Sequence, residues 1–202
     1  MLLYGGSGHA KVIRDCIESG GGKVFFIFDD NAALTSLDDT PVIGSYKPDF
    51  NIHEELIVSI GDNLVRKVVS EKVRHLFGKA VHSSAIISSY SLVAEGTVVM
   101  QGAIINAGTT IGKHVIVNTS AVIEHDCILE DFVHLSPNAT LCGNVQVGEG
   151  THIGAGAIVI PNVTIGKWCV IGAGSVVRED IPDYSLVMGI PGKVVRSLAK
   201  KV

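Results

Sequence analysis

Every sixth residue from Val81 to Val177 is isoleucine, valine or leucine. The series opens Val81, Ile87, Val93, closes Ile165, Ile171, Val177, and has no exception among its seventeen members. These three types fill 62 of the 202 positions, so chance does not give such a run. From Ile87 on, the residue two places before each member is small or β-branched, as at Ala85, Ala103, Ala121, Cys127, Ala139, Thr151 and Cys169. A helix repeats at 3.6 and a strand at 2, so neither alone explains a period of six. A solenoid does: one aliphatic residue per hexapeptide points inward, and a small one sits where the chain turns a corner. Three hexapeptides close a triangular coil of about 18 residues, and successive coils stack as parallel strands. Residues 81–177 supply between five and six such coils. Glycines just after the repeat start (Gly112, Gly148, Gly154, Gly166, Gly172) read as places where the backbone takes angles unusual for an L-residue.

Composition agrees. Apolar residues make up 47%, charged residues 18% and aromatics 5%, and valine outnumbers leucine 27 to 13. That excludes a disordered chain and argues against a helical bundle. A net charge of -4 gives no electrostatic footprint for nucleic acid. No apolar run approaches the ~20 residues that span a bilayer, and no secretory signal opens the chain, so the expectation is a cytoplasmic protein with no membrane partner. The four cysteines form no CxxC pair, and Cys127 and Cys169 read as compact apolar corner residues.

Residues 1–78 lack the period. Leu2–Tyr4 reads as a strand, Gly5-Gly6-Ser7-Gly8 as a turn, and Val12, Ile13, Cys16 and Ile17 as one face of a helix. Lys23–Phe28 reads as a second strand ending at Asp29-Asp30-Asn31. Leu56–Ile60 reads as a third, ending at Gly61-Asp62-Asn63, and Leu64–Leu76 reads as a helix. This is the opening of a Rossmann-like α/β half-domain, although Lys11 occupies the third glycine position of the dinucleotide fingerprint. The division predicted is residues 1–78 and 79–202. The α/β unit is expected to cap the N-terminal end of the solenoid. The segment after Val177, broken by Pro182 and Pro191, is expected to leave it.

Several motifs occur in one order: Gly5-Gly6-Ser7-Gly8-His9-Ala10-Lys11, Phe28-Asp29-Asp30-Asn31, Ser59-Ile60-Gly61-Asp62-Asn63, Ile123-Glu124-His125-Asp126-Cys127, Pro161-Asn162 and Gly189-Ile190-Pro191-Gly192-Lys193. Together they resemble the sialic acid O-acetyltransferase and UDP-4-amino-sugar (bacillosamine) N-acetyltransferase family of hexapeptide-repeat acyltransferases, over essentially the whole chain. The resemblance implies a left-handed parallel β-helix, acetyl-CoA as acetyl donor, no metal, and a homotrimer with sites between neighbouring subunits. It implies His125 as general base with Asp126 orienting it. It also implies acetyl-CoA contacts at His134, Ala155 and Ala173, and nucleotide-sugar contacts at Ser7, Gly8, His9, Asp29, Asp30 and Gly61. Two positions depart from the pattern. The bacillosamine enzymes tend to carry Glu where Asp126 stands, and Gly192 replaces the alanine of the usual Gly-x-Pro-Ala-Lys tail.

The residues themselves fit this chemistry. Acetyl transfer from a thioester needs a base for the acceptor and a donor for the tetrahedral oxyanion. Imidazole suits the first task, above all with a carboxylate on its other nitrogen. His125 lies off the inward position and should point outward between Glu124 and Asp126. His134 and His152, one coil turn apart, should stack on one face; His152 reads as a surface residue, while His134 fits either a surface or a CoA-site role. Two rivals share the solenoid. One is a zinc carbonic anhydrase drawing on His114, His125, His134 and His152; the other is a scaffold that needs no base. For the acceptor, the Gly6–His9 turn suits a diphosphate, and Asp29 and Asp30 suit a uracil ring or sugar amine. Those acids disfavour the carboxylate of a sialic acid. A UDP-linked amino sugar, N-acetylated at C4, is therefore preferred over a sialic-acid hydroxyl.

Overall fold

In a computed structural model describing residues 1–199, the chain is a parallel β-helix with an α/β unit laid along one of its faces. The last three residues of the predicted second division, 200–202, lie outside the described residues. Each hexapeptide contributes a two-residue strand, paired in parallel with the strand one coil further on, as Ile104 with Val122, Ile116 with His134 and Ile128 with Gln146. The strands form three sheets of eight, six and five members. The first face carries Ile116–Val117, His134–Leu135 and His152–Ile153. The second carries Val122–Ile123 and Thr140–Leu141, and the third Ile128–Leu129 and Gln146–Val147. Within each strand the first residue faces out and the second in. The inward series from Val99 to Val177 therefore merges into one buried core with the corner residues Ala103, Ala121, Cys127 and Ala139. Threonine is tolerated at the corner because its hydroxyl donates to a carbonyl on the same coil: Thr97 to Gly112, Thr109 to Glu124, Thr151 to Gly166, at 2.7–2.9 Å.

The glycines after the repeat start serve close approach, not unusual angles. The left-handed backbone falls elsewhere, at every sixth residue from Gly96 to Gly174. Glycine fills only some of those positions; His114, Asp126, Phe132, Asn144 and Trp168 fill others. Their strain is held by ladder hydrogen bonds such as Asp126 N–H to the Ala107 carbonyl, 3.0 Å. Gly148 and Gly154 instead face the next coil, where a Cβ would come within 2.7 Å of Gly166 and 2.6 Å of Ala173 backbone.

The α/β unit has three parallel strands with Leu2–Tyr4 between Phe26–Phe28 and Leu56–Val58. The chain leaves the central strand toward one neighbour and returns beyond the other, which opens a crevice at the carboxyl ends of Leu2–Tyr4 and Leu56–Val58. Helix α1 (Gly8–Ser19) buries Ala10, Ile13, Cys16 and Ile17; helix α2 (Asn63–Ser70) is shorter than the predicted 64–76. The core under α1 includes Ala80, Val98, Met100 and Ile116 of the solenoid. The unit therefore does not cap the solenoid's end, where Val81, Ile87 and Val93 are only partly buried. It covers the first face, whose outward residues in the first coils are apolar. The tail also stays on that face: Ser185–Met188 pairs with Val170–Ile171 before Lys193–Ser197 turns back antiparallel.

Candidate active site

His125 and Asp126 form the edge between the second and third faces. The His125 Nδ1–H donates to Asp126 Oδ2 at 2.8 Å, and both side chains are mostly exposed. A carboxylate on Nδ1 fixes the tautomer and leaves the Nε2 lone pair outward, the arrangement a base requires. Asp126 reaches its neighbour from left-handed backbone, φ 60°. The adjoining coils keep the dyad's slot open with glycine. A Cβ at Gly143 would lie 2.6 Å from His125 Cε1 and Nε2, and one at Gly108 would strike Asp126 Oδ1.

The crevice of the α/β unit gathers Ser7, Gly8, His9, Asp29, Asp30 and Gly61. Ser7 precedes α1 and its hydroxyl makes no cap bond. The Asp29 carboxylate is engaged by the crevice's own loops. Oδ2 accepts from Gly6 N–H at 2.6 Å and Oδ1 from Asn31 N–H at 2.8 Å, so Asp29 shapes the Gly-rich turn. Asp30 accepts from the Tyr4 hydroxyl at 3.1 Å through Oδ2. Burial, then the charge of Asp30, pushes that hydroxyl up to about 12. His9 sits across from Gly61, with its Nε2 buried and unpartnered among the described residues. Burial, with Arg66 second, lowers its pKa to about 4.

His134 and His152 stack as their spacing predicts, 4.7 Å between centroids and 2° apart. The Asn118 amide donates to His134 Nε2 at 3.2 Å, so the ring proton lies on Nδ1 and points to the Gly61 carbonyl at 3.3 Å. Burial above all pushes His134 down to about 3. It is a neutral strut between the solenoid and the crevice. His152 is not the free surface residue its sequence position suggests. It is half-buried, bonded to Ser136 Oγ at 2.7 Å, and lines a cavity of about 460 Å³ with Gly61–Leu64, His134 and Trp168. Ala155 and Ala173 are exposed, one coil apart, on the edge between the first and second faces.

The structure thus brings His9, Gly61 and His134 together, and holds His125 on the edge opposite the first face. His114 is buried between Phe77, 4.4 Å away, and Phe132, 5.2 Å away. His125 stands on a different edge from the stacked His134 and His152, and no group of three metal-ligating side chains occurs among the described residues of one chain. Sequence reasoning missed Arg66, Asn118, Ser136, Gly108 and Gly143. The two glycines were findable, since Gly143 lies one full coil after His125 and Gly108 one full coil before Asp126. Arg66 carried no such signal.

A β-helix of hexapeptide coils, with an outward histidine–carboxylate pair on one edge and a Rossmann-like α/β crevice against one face, fits the hexapeptide-repeat class of acyltransferases. A family model described as PglD N-terminal domain matches residues 1–73, and one described as bacterial transferase hexapeptide (six repeats) matches residues 144–179. Among solved structures, PerB from Caulobacter crescentus, in complex with CoA and GDP-perosamine, is 40% identical. That match covers 96% of this chain and 95% of that one, with a TM-score of 0.89. The acetyltransferase domain of PglB from Neisseria gonorrhoeae is 33% identical, covering 96% and 98%, TM-score 0.90. WeeI from Acinetobacter baumannii is 26% identical, covering 96% and 98%, TM-score 0.75. A search of curated protein sequences returned no match. The chain belongs to the hexapeptide-repeat sugar acetyltransferases.

Proposed function

We propose that this protein transfers the acetyl group of acetyl-CoA to the amine of a nucleotide-linked amino sugar, with His125 as general base. The observation that carries the assignment is the His125–Asp126 pair, 2.8 Å apart with Nε2 open, in a chain of this family. The amine nitrogen attacks the thioester carbonyl carbon, forming the C–N bond, and His125 Nε2 accepts the amine proton. Collapse of the tetrahedral intermediate breaks the C–S bond, and the CoA thiolate takes the proton back from the imidazolium. Asp126 holds the ring and stabilises its charged form.

Ser7, Gly8, His9, Asp29, Asp30 and Gly61 hold the nucleotide sugar in this reading, and Asp29 also shapes the turn. The Gly8 and His9 N–H groups, at the start of α1, have no acceptor among the described residues and suit a diphosphate. Asp30 Oδ1 is the free carboxylate oxygen for a base N–H. Uracil presents one, which suits the UDP carrier preferred from the sequence; guanine presents one too, and PerB was solved with a GDP-sugar. Acetyl-CoA runs along the edge of Ala155 and Ala173, beside His134.

Because the crevice and the dyad lie on opposite sides of one prism, the complete site needs a second copy. The second face offers the surface: its outward residues Ile86, Ile104, Val122, Thr140, Ile158 and Val176 carry no charge and are not covered by the α/β unit. The homotrimer with three composite sites that the family resemblance implies would bring crevice and dyad together. Cytoplasmic action is part of the same proposal; no helix among the described residues is long and apolar enough to cross a membrane.

The test is thiol release from acetyl-CoA with a GDP-linked amino sugar, a UDP-linked amino sugar and a free sialic acid offered in parallel. Turnover of either nucleotide sugar is expected. Turnover of the sialic acid alone, without nucleotide binding, would overturn the acceptor class. Full activity from a sedimenting monomer would overturn the composite site.

A further inference from the structure

Arg66 is the most deeply buried charged residue described, 1% exposed, and no carboxylate pairs with it. Its guanidinium donates only to neutral oxygens. Nε bonds the His114 carbonyl at 2.9 Å and one terminal nitrogen bonds the Phe132 carbonyl at 2.9 Å, both on the solenoid. That same terminal nitrogen also donates to Asn63 Oδ1 at 2.9 Å, and the other terminal nitrogen bonds the Ile60 and Gly61 carbonyls, each at 3.1 Å. A buried cation with no carboxylate in direct contact among the described residues is costly, and burial lowers this one to about 9 against the opposing charge of Asp62. An apolar side chain would fill the joint at less expense; it would not bind four carbonyls from two domains. Only the planar five-donor fork does that.

The consequence lies in the loop it grips. The peptides joining Ile60 to Gly61 and Gly61 to Asp62 are trans, so each carbonyl points opposite to the N–H that follows it. Drawing the Ile60 and Gly61 carbonyls inward onto Arg66 turns the Gly61 and Asp62 N–H groups outward. Neither has a protein acceptor among the described residues. They stand at the start of α2, beside the Gly6–His9 turn. Two further bonds hold the same loop from the solenoid: His134 Nδ1–H to the Gly61 carbonyl, and Asn63 Nδ2 to the Gly150 carbonyl at 3.0 Å.

We propose that Arg66 is a positioning residue for the nucleotide sugar: it locks the Ile60–Asn63 loop to the β-helix so that the loop's N–H groups face the substrate. It rests on the proposed function for the substrate class and goes beyond it in assigning the residue and its means. Arg66 touches neither His125 nor the Ala155–Ala173 edge, so its effect falls on one substrate only.

The experiment compares wild type with Arg66→Lys, Arg66→Met and Asn63→Ala by calorimetric titration with GDP, UDP and CoA, and by KM and kcat for both substrates. Arg66→Lys keeps the charge but cannot reach both carbonyl pairs. The expected result is about tenfold or greater weakening of nucleoside diphosphate binding and of nucleotide-sugar KM. CoA affinity and saturating kcat should stay within about twofold. Asn63→Ala should give a smaller change of the same kind, and it decides the matter if Arg66→Met does not fold. Equal nucleotide affinity in Arg66→Lys, or equal losses for CoA and nucleotide, would overturn the inference. If wild type binds neither nucleotide, the functional proposal fails instead.

Discussion

His125 and His134 are hydrogen-bonded imidazoles on the outside of the same β-helix, half a coil apart, and their surroundings give them opposite chemistry. His125 stands in solvent with a carboxylate on one nitrogen and nothing on the other. His134 is buried beneath the α/β unit, both nitrogens occupied by Asn118 and Gly61, and its neighbourhood contains an unpaired guanidinium and a second stacked ring. The first keeps one nitrogen open to solvent. The second is held neutral by desolvation and by the nearby cation, so it transmits position and not protons. Identity of the side chain therefore says little; the face it occupies says most.

The largest effect expected from breaking this contrast is at the base. His125→Ala should lower kcat by about 10²–10⁴, the usual contribution of a positioned base, with CoA affinity largely kept. Near-wild-type turnover in steady-state assays would remove His125 from the mechanism. A second variant leaves the dyad's residues intact and moves the ring. Gly143→Val places a side chain where an added Cβ would lie 2.6 Å from Nε2, so the imidazole must swing off Asp126. A roughly 10- to 100-fold loss of kcat is expected. Unchanged kcat would mean the slot is not needed. Asp126→Asn should cost less, about tenfold, because the ring retains a hydrogen-bonding neighbour but loses the charge that favours the imidazolium. A loss as large as that of His125→Ala would give Asp126 a more direct part.

The same contrast explains how far the sequence could be read. The solenoid was legible because each position repeats its environment once per coil. Seventeen aliphatic residues fixed the coil, and the spacing of His134 and His152 foretold their stacking. What overlies a coil is not periodic. Nothing local distinguishes His152, half-buried against Ser136, from a residue on an open face; the difference comes from the α/β unit, whose placement depends on Ala80, Val98 and Ile116 being apolar outward as well as inward. Arg66 was illegible for a related reason. Its partners are backbone carbonyls at positions 60, 61, 114 and 132, and carbonyls leave no trace in residue identity. The corner glycines were seen but misexplained, since glycine marks both left-handed backbone and close approach.

The smallest effect concerns the buried side of the comparison and is read in stability. His114 lies beneath the α/β unit, its ring packed on Phe77 and Phe132 and its Nδ1 without a partner among the described residues. Burial first, and Arg66 second, lower its pKa to about 4. In the unfolded chain the ring takes a proton below about pH 6.5. Between those values the unfolded state holds more protons, so this contribution to stability is intact above pH 6.5 and falls as pH drops toward 4. At pH 5.5 the loss from one such ring is about 1 kcal/mol relative to pH 7.5. Phe132 already occupies the equivalent left-handed position one coil on, φ 60°, so His114→Phe puts a tolerated side chain there. The variant should lose less on acidification than wild type, narrowing the Tm difference between pH 7.5 and pH 5.5 by about 2–4 °C. An unchanged difference would show that His114 is hydrated or protonated in the folded protein, and that the neutral side of the molecule extends only to His9 and His134.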